Sequence, residues 1–393
     1  MESDSKSIFQ FFTQAETPSF EAFMRKFLPN FPCNKLNYLI EFLRNGQDNF
    51  LHNGKGIRTG IVIAGNSVIP VVVNDGDVND CYLVSSYVHY ITYLIEEVKK
   101  MKPQWLGFLI RQMLRGIGTI SQFLNFNRTI FINNWLFTTS LASQPTREEI
   151  ALLKAKLIEL FPTHALVYRG LDLRNEVLWA GLIENGFQPL IHRPFLEWNP
   201  QDFLKGLPSK KRKQVKKDIH LTEGHPFHLR SPQELSGEET EQITNMYESL
   251  YMIKHSPYNA CYTKKYFQTA VSTGINGIYL IYLNDKLVGF VTYVDNEKQI
   301  IAAVTGYDPT GDCREGSVYS AAMAALFADS LRKNKILFLS TGASAYKRGR
   351  GAYELMEYEG IFVNHLSFPK KSFWMFMKKF LEISAKSMDV SQI

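Results

Sequence analysis

The chain has 393 residues, of which 45% are hydrophobic and 13% aromatic, and its formal net charge is +6. This length accommodates two or three domains, and the composition excludes a wholly disordered protein. The sequence has no run of 18 apolar residues and no basic region followed by an apolar stretch near residue 1, so we expect neither a transmembrane helix nor a secretory signal.

The four cysteines are widely scattered, and no pair has the spacing of a metal site or of a CxxC motif: Cys33, Cys81, Cys261 and Cys313. They predict free thiols in a reducing, cytoplasmic environment and no metal centre. The modest positive charge is compatible with an anionic cofactor and does not require a nucleic acid.

The first half of the chain predicts a helical extension (1–55) followed by a mixed α/β domain (56–200). Apolar residues recur at helical spacing before Pro29 and again after it. Gly65-Asn66-Ser67 interrupts a β-branched segment and is typical of a hairpin. Further strands are predicted at 128–140, 164–169 and 187–198. Helices are predicted at 87–124, 146–161 and 175–184. The helix 146–161 begins with the capping box Thr146-Arg-Glu-Glu149.

The helical tract 87–124 carries one apolar stripe, formed by Trp105, Phe108, Leu109, Met113, Ile117 and Ile120. Cations accompany the stripe, as in a helix that makes peripheral contact with a membrane surface. A stripe that faces the protein core is the favoured interpretation.

The second half (201–393) begins with a basic helix and continues with a regular alternation of elements. The predicted elements are two helices (237–254 and 263–272), a three-stranded meander (277–283, 287–295 and 299–307), an alanine-rich helix (316–333), a strand (336–339), a second strand (358–365) and a terminal helix (370–384).

The segment after strand 336–339 combines small residues, a tyrosine, three cations and two glycines. Tyr346 supplies a proton donor, and Lys347, Arg348 and Arg350 suit a phosphate or a carboxylate. Because the carboxyl ends of buried strands are where α/β sheets present chemistry, this segment predicts a group-transfer site that handles an anionic cofactor.

Three stretches of the second half are similar to one known family. They are Ser209-Lys-Lys-Arg-Lys-Gln-Val-Lys-Lys217, Lys286-Leu-Val-Gly-Phe-Val291 and Ser340-Thr-Gly-Ala-Ser-Ala-Tyr-Lys-Arg-Gly-Arg-Gly-Ala352, the last followed by Glu357-Tyr358 and His365-Leu366. The second half resembles the GNAT acyltransferases, most closely the CelD-type branch that is allied to the Fem-type peptidoglycan transferases. The first half resembles a degenerate second copy, so the resemblance implies tandem GNAT-like domains with an α/β (α+β) mixed sheet.

The resemblance implies an N-acyltransferase that moves an acyl group from acyl-CoA to the amine of a small molecule, sugar or amino acid. The donor's pantetheine arm would pair with strand 299–307, which contains Thr305. Its pyrophosphate would lie at the start of the next helix, at Arg314, Gly316, Ser317 and Val318. The family's full glycine pattern is missing there, and a plain helix start is the alternative.

The resemblance also implies the catalytic roles. Tyr346 is the expected general acid, and a tyrosine that only packs its helix is the alternative. Glu357 is the first choice of general base and His255 the second, although a solvated glutamate and an incidental histidine are the simpler interpretations. The expected substrate contacts are Tyr258, Lys347, Arg348, Arg350 and His365, with solvated or structural side chains as the alternative.

The basic segment 210–217 leaves several functions open. It fits an RNA or membrane-surface patch, or a solvated helix face. In Fem-type relatives the donor is aminoacyl-tRNA, so a tRNA-dependent transferase is the second enzymatic hypothesis. A tandem scaffold that has lost its cofactor site and only binds a partner is the non-enzymatic one.

Overall fold

A computed structural model gives the fold of the chain. It describes residues 8–46, 49–99, 103–141, 143–172, 174–223, 226–308 and 315–390. The predicted fold class is confirmed, because the strands of these segments join in one mixed sheet with helices on both faces.

The first half follows the predicted order, with two helices before the hairpin, further helices directly after it that have no counterpart between the described strands of the second half, and one helix between each later pair of strands. Its elements are β1 (Phe9–Phe12), α1 (Thr17–Phe27), α2 (Cys33–Asn45), β2 (Ile57–Ala64), β3 (Ser67–Asp75), a π-helical turn (Val88–Thr92), α3 (Tyr93–Val98), α4 (Gln104–Phe123), β4 (Arg128–Ile132), α5 (Arg147–Leu160), β5 (Ala165–Asp172), α6 (Glu176–Glu184) and β6 (Gln188–Trp198).

The second half repeats this order and confirms the predicted meander. Its elements are α7 (Pro200–Lys205), α8 (Ser209–His220), β7 (His228–Arg230), α9 (Gly237–Tyr247) with a π-helical continuation (Glu248–His255), α10 (Lys264–Ser272), β8 (Gly277–Leu283), β9 (Lys286–Asp295), β10 (Gln299–Tyr307), α11 (Glu315–Lys333), β11 (Ile336–Phe338), α12 (Ser344–Gly349), β12 (Tyr353–Phe362) and α13 (Phe368–Val390).

The strand order shows that the two halves are related. It runs β1-β2-β3-β4-β5-β12-β6-β11-β10-β9-β8-β7. From either edge of the sheet toward its centre, the first three pairs of neighbouring strands are antiparallel, the fourth pair is parallel and the fifth is antiparallel. The central strands β6 and β12 are exchanged, since each pairs with the other half's fifth strand. The described part of the chain therefore has a pseudo-twofold arrangement, with its axis between β6 and β12.

The predicted boundaries at residues 56 and 201 stay predictions. The segment 1–55, expected to be a helical extension, also contains a strand, because β1 pairs with β2 along four residues. The strand predicted at 128–140 ends at Ile132, since Asn133 has a φ of 61° and turns the chain. The predicted strand 358–365 lies earlier, at β12.

Three hydrophobic cores separate the faces of the sheet. Helices α1, α2, α9, α10 and α13 share one core on one face. On the other face, α5 and α6 cover the first half, and α7, α8 and α11 cover the second. The expected free thiols are present at Cys33, Cys81 and Cys261, and Cys313 lies outside the described residues.

The apolar stripe of α4 does not face the core as expected. Of its six residues only Ile117 is buried, and Trp105, Phe108, Leu109, Met113 and Ile120 are exposed. The buried face of α4 is formed mainly by small residues such as Gly107, Gly118 and Ser121, which let the helix lie close to its neighbours. Within the described segments, no helix is long and apolar enough to cross a membrane.

Candidate active site

The sheet opens between β10 and β11. The two strands pair in parallel at only three positions, Gln299–Ile301 with Ile336–Phe338, although β10 continues to Tyr307. Beyond Phe338 the chain turns to β6. The Leu339 amide donates to the Leu196 carbonyl (2.8 Å), and the Leu196 amide donates to the Ser340 carbonyl (3.1 Å). Among the described residues, the last part of β10 therefore has no strand partner on the β11 side.

A β-bulge marks the point on β10 where the two strands separate. The register with β9 shifts between Ala302 and Thr305. The Thr292 hydroxyl fills the bulge and accepts from the Val304 amide (3.0 Å). From the first half, the Thr138 hydroxyl donates to the Ala303 carbonyl (3.3 Å). Bulges of this kind often lie next to active sites, where they end pairing or redirect side chains.

Tyrosines line this separated segment from both sides. The Tyr251 hydroxyl, on the π-helical continuation of α9, hydrogen bonds to the Thr305 backbone. Tyr319, in the second turn of α11, meets the Tyr346 ring edge-on at 5.1 Å. Burial raises the pKa of Tyr251, Tyr319 and Tyr346, so all three phenols stay protonated at neutral pH.

The predicted general acid, Tyr346, is held by a buried carboxylate. Its hydroxyl donates to Asp218 Oδ2 (2.6 Å), and Arg350 Nε donates to the same oxygen (2.7 Å). The Arg350 guanidinium also lies 3.5 Å from the centroid of the Tyr346 ring. Burial, followed by the charge of Asp218, raises the pKa of Tyr346. This arrangement fixes α12 against α8.

The three predicted cations do not converge on one point. Arg350 turns to Asp218, and Arg348 is exposed and paired with Glu354. Lys347 is buried, with an exposed fraction of 3%, and its Nζ donates to the Leu339 carbonyl (2.5 Å) where β11 leaves β10. Burial, followed by the positive charge of Arg193, lowers the pKa of Lys347 to about 7. A large fraction of this amine is therefore neutral at physiological pH.

The predicted base, Glu357, is part of an ion pair at the centre of the sheet. Arg193 Nε donates to Glu357 Oε2 (2.7 Å), and the same guanidinium donates to the Thr138 carbonyl (2.5 Å) and to the Thr139 hydroxyl (3.1 Å). Both charged side chains are largely buried. Thr138 therefore links this ion pair to the bulge in β10.

A second group of buried polar residues adjoins this pair. The Tyr90 hydroxyl donates to Glu359 Oε2 (2.6 Å), and Arg169 Nε lies 3.4 Å from Glu359 Oε1. His192 stacks on His89 with ring centroids 4.4 Å apart. Both of its ring nitrogens are buried and have no hydrogen bond among the described residues, although Nδ1 lies 3.3 Å from Glu359 Oε1. Burial lowers the pKa of His192 well below its ordinary value and that of His89 to about 3, so both rings are neutral. We refer to Arg169, His192, Arg193, Glu357 and Glu359, together with His89 and Tyr90, as the central polar cluster.

Backbone irregularities bring the central polar cluster to one face. Glu357 pairs with Arg193 but Tyr358 pairs with Ile191, so His192 is an extra residue in β6 and lies near the same carboxylate, Glu357, as Arg193. On β5, Gly170 has a φ of 74°, and a Cβ there would lie 2.6 Å from the Ser140 side chain. Only glycine fits this turn without strain.

The remaining predicted residues are dispersed. Val318 is buried in the first turn of α11, which also contains Gly316 and Ser317, and Arg314 lies outside the described residues. His255 is exposed at the end of the π-helical continuation, 5.8 Å from the Tyr251 ring. The Tyr258 carbonyl accepts from the Tyr82 amide (3.0 Å).

His365 lies at the other end of β12, away from the bulge. Its Nε2 is 2.8 Å from the His164 carbonyl, and its ring stacks on Phe362. Burial lowers its pKa. Across the described segments, no three His, Cys, Asp or Glu side chains are grouped so as to hold a metal ion.

Sequence reasoning identified Glu357 and missed its partners. Glu357 and Glu359 are both buried, as strand alternation allows for residues two apart. The signal for the rest was the pair His192-Arg193 between apolar residues in the middle of β6. A polar pair of this kind in a central strand requires buried partners.

Comparisons with known proteins give no family assignment. No family model matches the chain, and no curated protein matches it. The fold is similar to solved structures at low identity. FemX is 8% identical over 63% of this chain and 83% of its own, with a TM-score of 0.44. L-PGS from Bacillus licheniformis is 11% identical over 58% and 77%, with a TM-score of 0.42.

A tandem GNAT protein from the clavulanic acid biosynthesis pathway is 11% identical and covers 90% of this chain and 98% of its own, with a TM-score of 0.39. At these identities and TM-scores the similarities assign neither an activity nor a substrate. The relation between the two halves therefore rests on the strand pairing within this chain.

Proposed function

We propose that the protein is an acyltransferase that moves an acyl group from acyl-CoA to the amine of a small molecule, sugar or amino acid. The observation that carries the proposal is the separation of β10 from β11 beside a bulge, with α11 following β10 in the chain. It agrees with the resemblance of the segment 340–352 to GNAT enzymes.

The unpaired edge of β10 suits an extended donor arm that contains amides. Such an arm adds to an open strand edge through main-chain hydrogen bonds. Thr305 lies on this edge. The first turn of α11, with Gly316, Ser317 and Val318, offers backbone amides and the positive end of the helix dipole to the donor's phosphates, and Arg314 is a further proposed contact.

The reaction needs one proton acceptor and one proton donor. The acceptor's nitrogen forms a C–N bond with the thioester carbon, the C–S bond breaks, the ammonium loses a proton and the thiolate gains one. Lys347 is our first proposal for the base, since its pKa of about 7 leaves a large neutral fraction at the separated end of β11. Glu357 and His255 remain alternatives.

Tyr346 remains the proposed proton donor to the thiolate. Its raised pKa keeps the phenol protonated at neutral pH, and its hydroxyl must turn away from Asp218 to reach a thiolate. The hydrogen bond to Asp218 makes this role costlier than the sequence suggested. Removing the Tyr346 hydroxyl and measuring turnover therefore distinguishes a catalytic role of this residue from a role in packing α12.

The central polar cluster is the proposed acceptor side. It shares Thr138 with the bulge, so an acceptor placed there lies next to the proposed donor arm. Its carboxylates, Glu357 and Glu359, can bind an ammonium, and Arg193 can bind a carboxylate of an amino acid. Tyr258, Arg348, Arg350 and His365 stay weaker proposals for this side.

Ligand-induced stabilisation tests the proposed donor. We expect CoA and its short-chain thioesters to raise the melting temperature, because a ligand at about one hundred times its Kd stabilises a protein by about 2.7 kcal/mol. Dephospho-CoA and free pantetheine, which share the arm but carry less charge, separate recognition of the arm from recognition of the phosphates. The absence of a shift with every CoA thioester would contradict acyl-CoA as the donor.

The basic helix α8 favours aminoacyl-tRNA as a second candidate donor. Asp218, a buried residue of α8, holds Tyr346, and the rest of the helix carries six cations that have no carboxylate partner in the described segments: Lys210, Lys211, Arg212, Lys213, Lys216 and Lys217. A polyanion bound there would show affinity that falls steeply with salt. Neutralising Lys213 and Lys217 should lower the salt slope by about 0.9 per contact if tRNA binds, and unchanged binding would exclude this surface.

A further inference from the structure

Helix α4 presents a second apolar face to solvent, opposite the face that packs on the protein. Trp105 is 65% exposed, Leu109 55% and Phe123 84%. Phe108, Met113 and Ile120 extend the same surface, because residues three, four and seven apart share one side of a helix. We call these six residues the α4 apolar face. A cluster of this size and aromatic content marks an interaction surface rather than scattered exposed residues.

The charged residues from Lys99 to the end of α4 have one sign, although Glu96 and Glu97 lie just before them in α3. Residues 99–123 contain five cations and no carboxylate. Arg111 and Arg115 lie along one flank of the apolar face, and no described carboxylate lies within ion-pair distance of either. Of the other three cations, Lys99 pairs with Glu96.

The aromatic C-terminal end of α4 is continuous with a second basic element. Phe126, just after α4, packs on Phe373 and Trp374 of α13. The first turn of α13 adds Phe368, which is 82% exposed, together with Lys370 and Lys371. Apolar side chains flanked by cations thus recur on two neighbouring helices.

We propose that the α4 apolar face docks the protein on an anionic phospholipid bilayer, with α4 lying in the plane of the interface. Trp, Phe and Leu side chains enter the boundary between headgroups and acyl chains, while arginines meet the anionic headgroups. A second copy of the chain is a poorer occupant, since a symmetric contact would bring like charges together. The proposal is independent of the proposed catalytic function.

Trp105 provides a direct reporter of this docking. The chain has five tryptophans, and the other four are at most 4% exposed. Full-length protein mixed with vesicles of phosphatidylcholine and phosphatidylglycerol should therefore show a blue shift that comes from Trp105. Trp105→Phe should still co-sediment with the vesicles but lose the shift. A blue shift that persists in Trp105→Phe would overturn the proposal.

Matched carboxylate substitutions identify the docking face. Leu109→Glu should lower co-sedimentation at least tenfold, whereas Val177→Glu, which places the same charge at an exposed apolar residue of α6, should not change it. Arg111→Gln and Arg115→Gln should each weaken binding to the anionic vesicles about fivefold and leave binding to pure phosphatidylcholine unchanged. Circular dichroism and melting temperature confirm that each variant is folded.

Three results would overturn the proposal. They are no binding of the wild-type protein to anionic vesicles, equal binding by Leu109→Glu, and a wild-type dimer in light scattering that Leu109→Glu converts to a monomer. The last result would assign the α4 apolar face to a second copy of this chain.

Discussion

The two parallel strand pairs of the molecule occupy equivalent places in the two halves and differ at one step. In the first half β4 and β5 pair at four positions, the last of which is Ile132 with Tyr168. In the second half β10 and β11 pair at three, and the residues at the fourth position, Ala302 and Leu339, do not pair. The fourth pair thus distinguishes a closed strand pair from an open one.

The polar contacts made at this fourth position also differ between the halves. In the first half the Tyr168 hydroxyl contacts the Ser143 hydroxyl (2.5 Å) beyond the closed pair. In the second half the freed carbonyl of Leu339 accepts from Lys347, a buried amine with a lowered pKa. One half thus keeps its parallel pair closed, and the other opens the pair beside the segment proposed to bind the donor arm.

The largest expected effect comes from removing the amine at the open pair. Lys347→Met should lower acyl transfer by about 10²–10⁴-fold if the amine is the base. The same variant should be more stable by a few kcal/mol near neutral pH. Folding lowers the pKa of the Lys347 amine from 10.5 to about 7, and this shift costs folding free energy that methionine does not incur. Chemical denaturation and turnover, measured on one preparation, check both.

The pH dependence of stability sharpens this prediction. Between pH 7 and 10.5 the unfolded chain binds more protons at Lys347 than the folded chain, so this residue makes stability rise with pH in that window. Lys347→Met should remove that rise. Tyr168→Phe, which removes a polar contact at the closed pair, should leave turnover unchanged. If both variants lost activity equally, the open pair and the closed pair would not differ in their importance for turnover.

The second prediction concerns the ion pair shared by the halves. Glu357→Gln leaves Arg193 buried without its counter-charge and should destabilise the protein by about 3–5 kcal/mol. Arg58→Ala breaks an exposed pair with Asp75 and should cost at most about 1 kcal/mol. Urea unfolding compares the two. A small effect of Glu357→Gln would mean that the central pair is solvated.

The sequence allowed prediction of the element order and of the segment after β11. Both are local features, since hydrophobic period and turn residues act within a few positions. The bulge at His192 was not predictable, because its register depends on β12, which lies more than 150 residues further along the chain. The burial of Lys347 depends likewise on how α12 folds back on β11. The sequence alone, in which Lys347 and Arg348 are adjacent cations, therefore did not indicate that Lys347 is buried and Arg348 exposed.

The third prediction tests Tyr346 at the open pair. Tyr346→Phe removes the hydrogen bond to Asp218 and should cost about 1–3 kcal/mol of stability, since a buried carboxylate loses a donor. If the phenol protonates the leaving thiolate, kcat should also fall by about 10²-fold or more with little change in KM. If it only packs α12, kcat stays near the wild-type value. Arg58→Ala, which breaks an exposed pair in the first half, is the control and should change neither quantity appreciably.

The smallest expected effect is the acid sensitivity that the central polar cluster gives to the fold. Burial lowers the pKa of His89 to about 3 and that of His192 as well, so the unfolded chain binds more protons at both residues below pH 6.5. Stability should therefore fall as the pH drops from 6.5 toward 3. Glu359 acts in the opposite direction, because its raised pKa favours the folded state at low pH.

Replacing His89 and His192 by glutamine should flatten this decline. Urea titrations at several pH values measure the slopes of the wild-type protein and of the double variant. An unchanged slope in the double variant would contradict the prediction, because it would mean that neither histidine is held neutral in the folded protein.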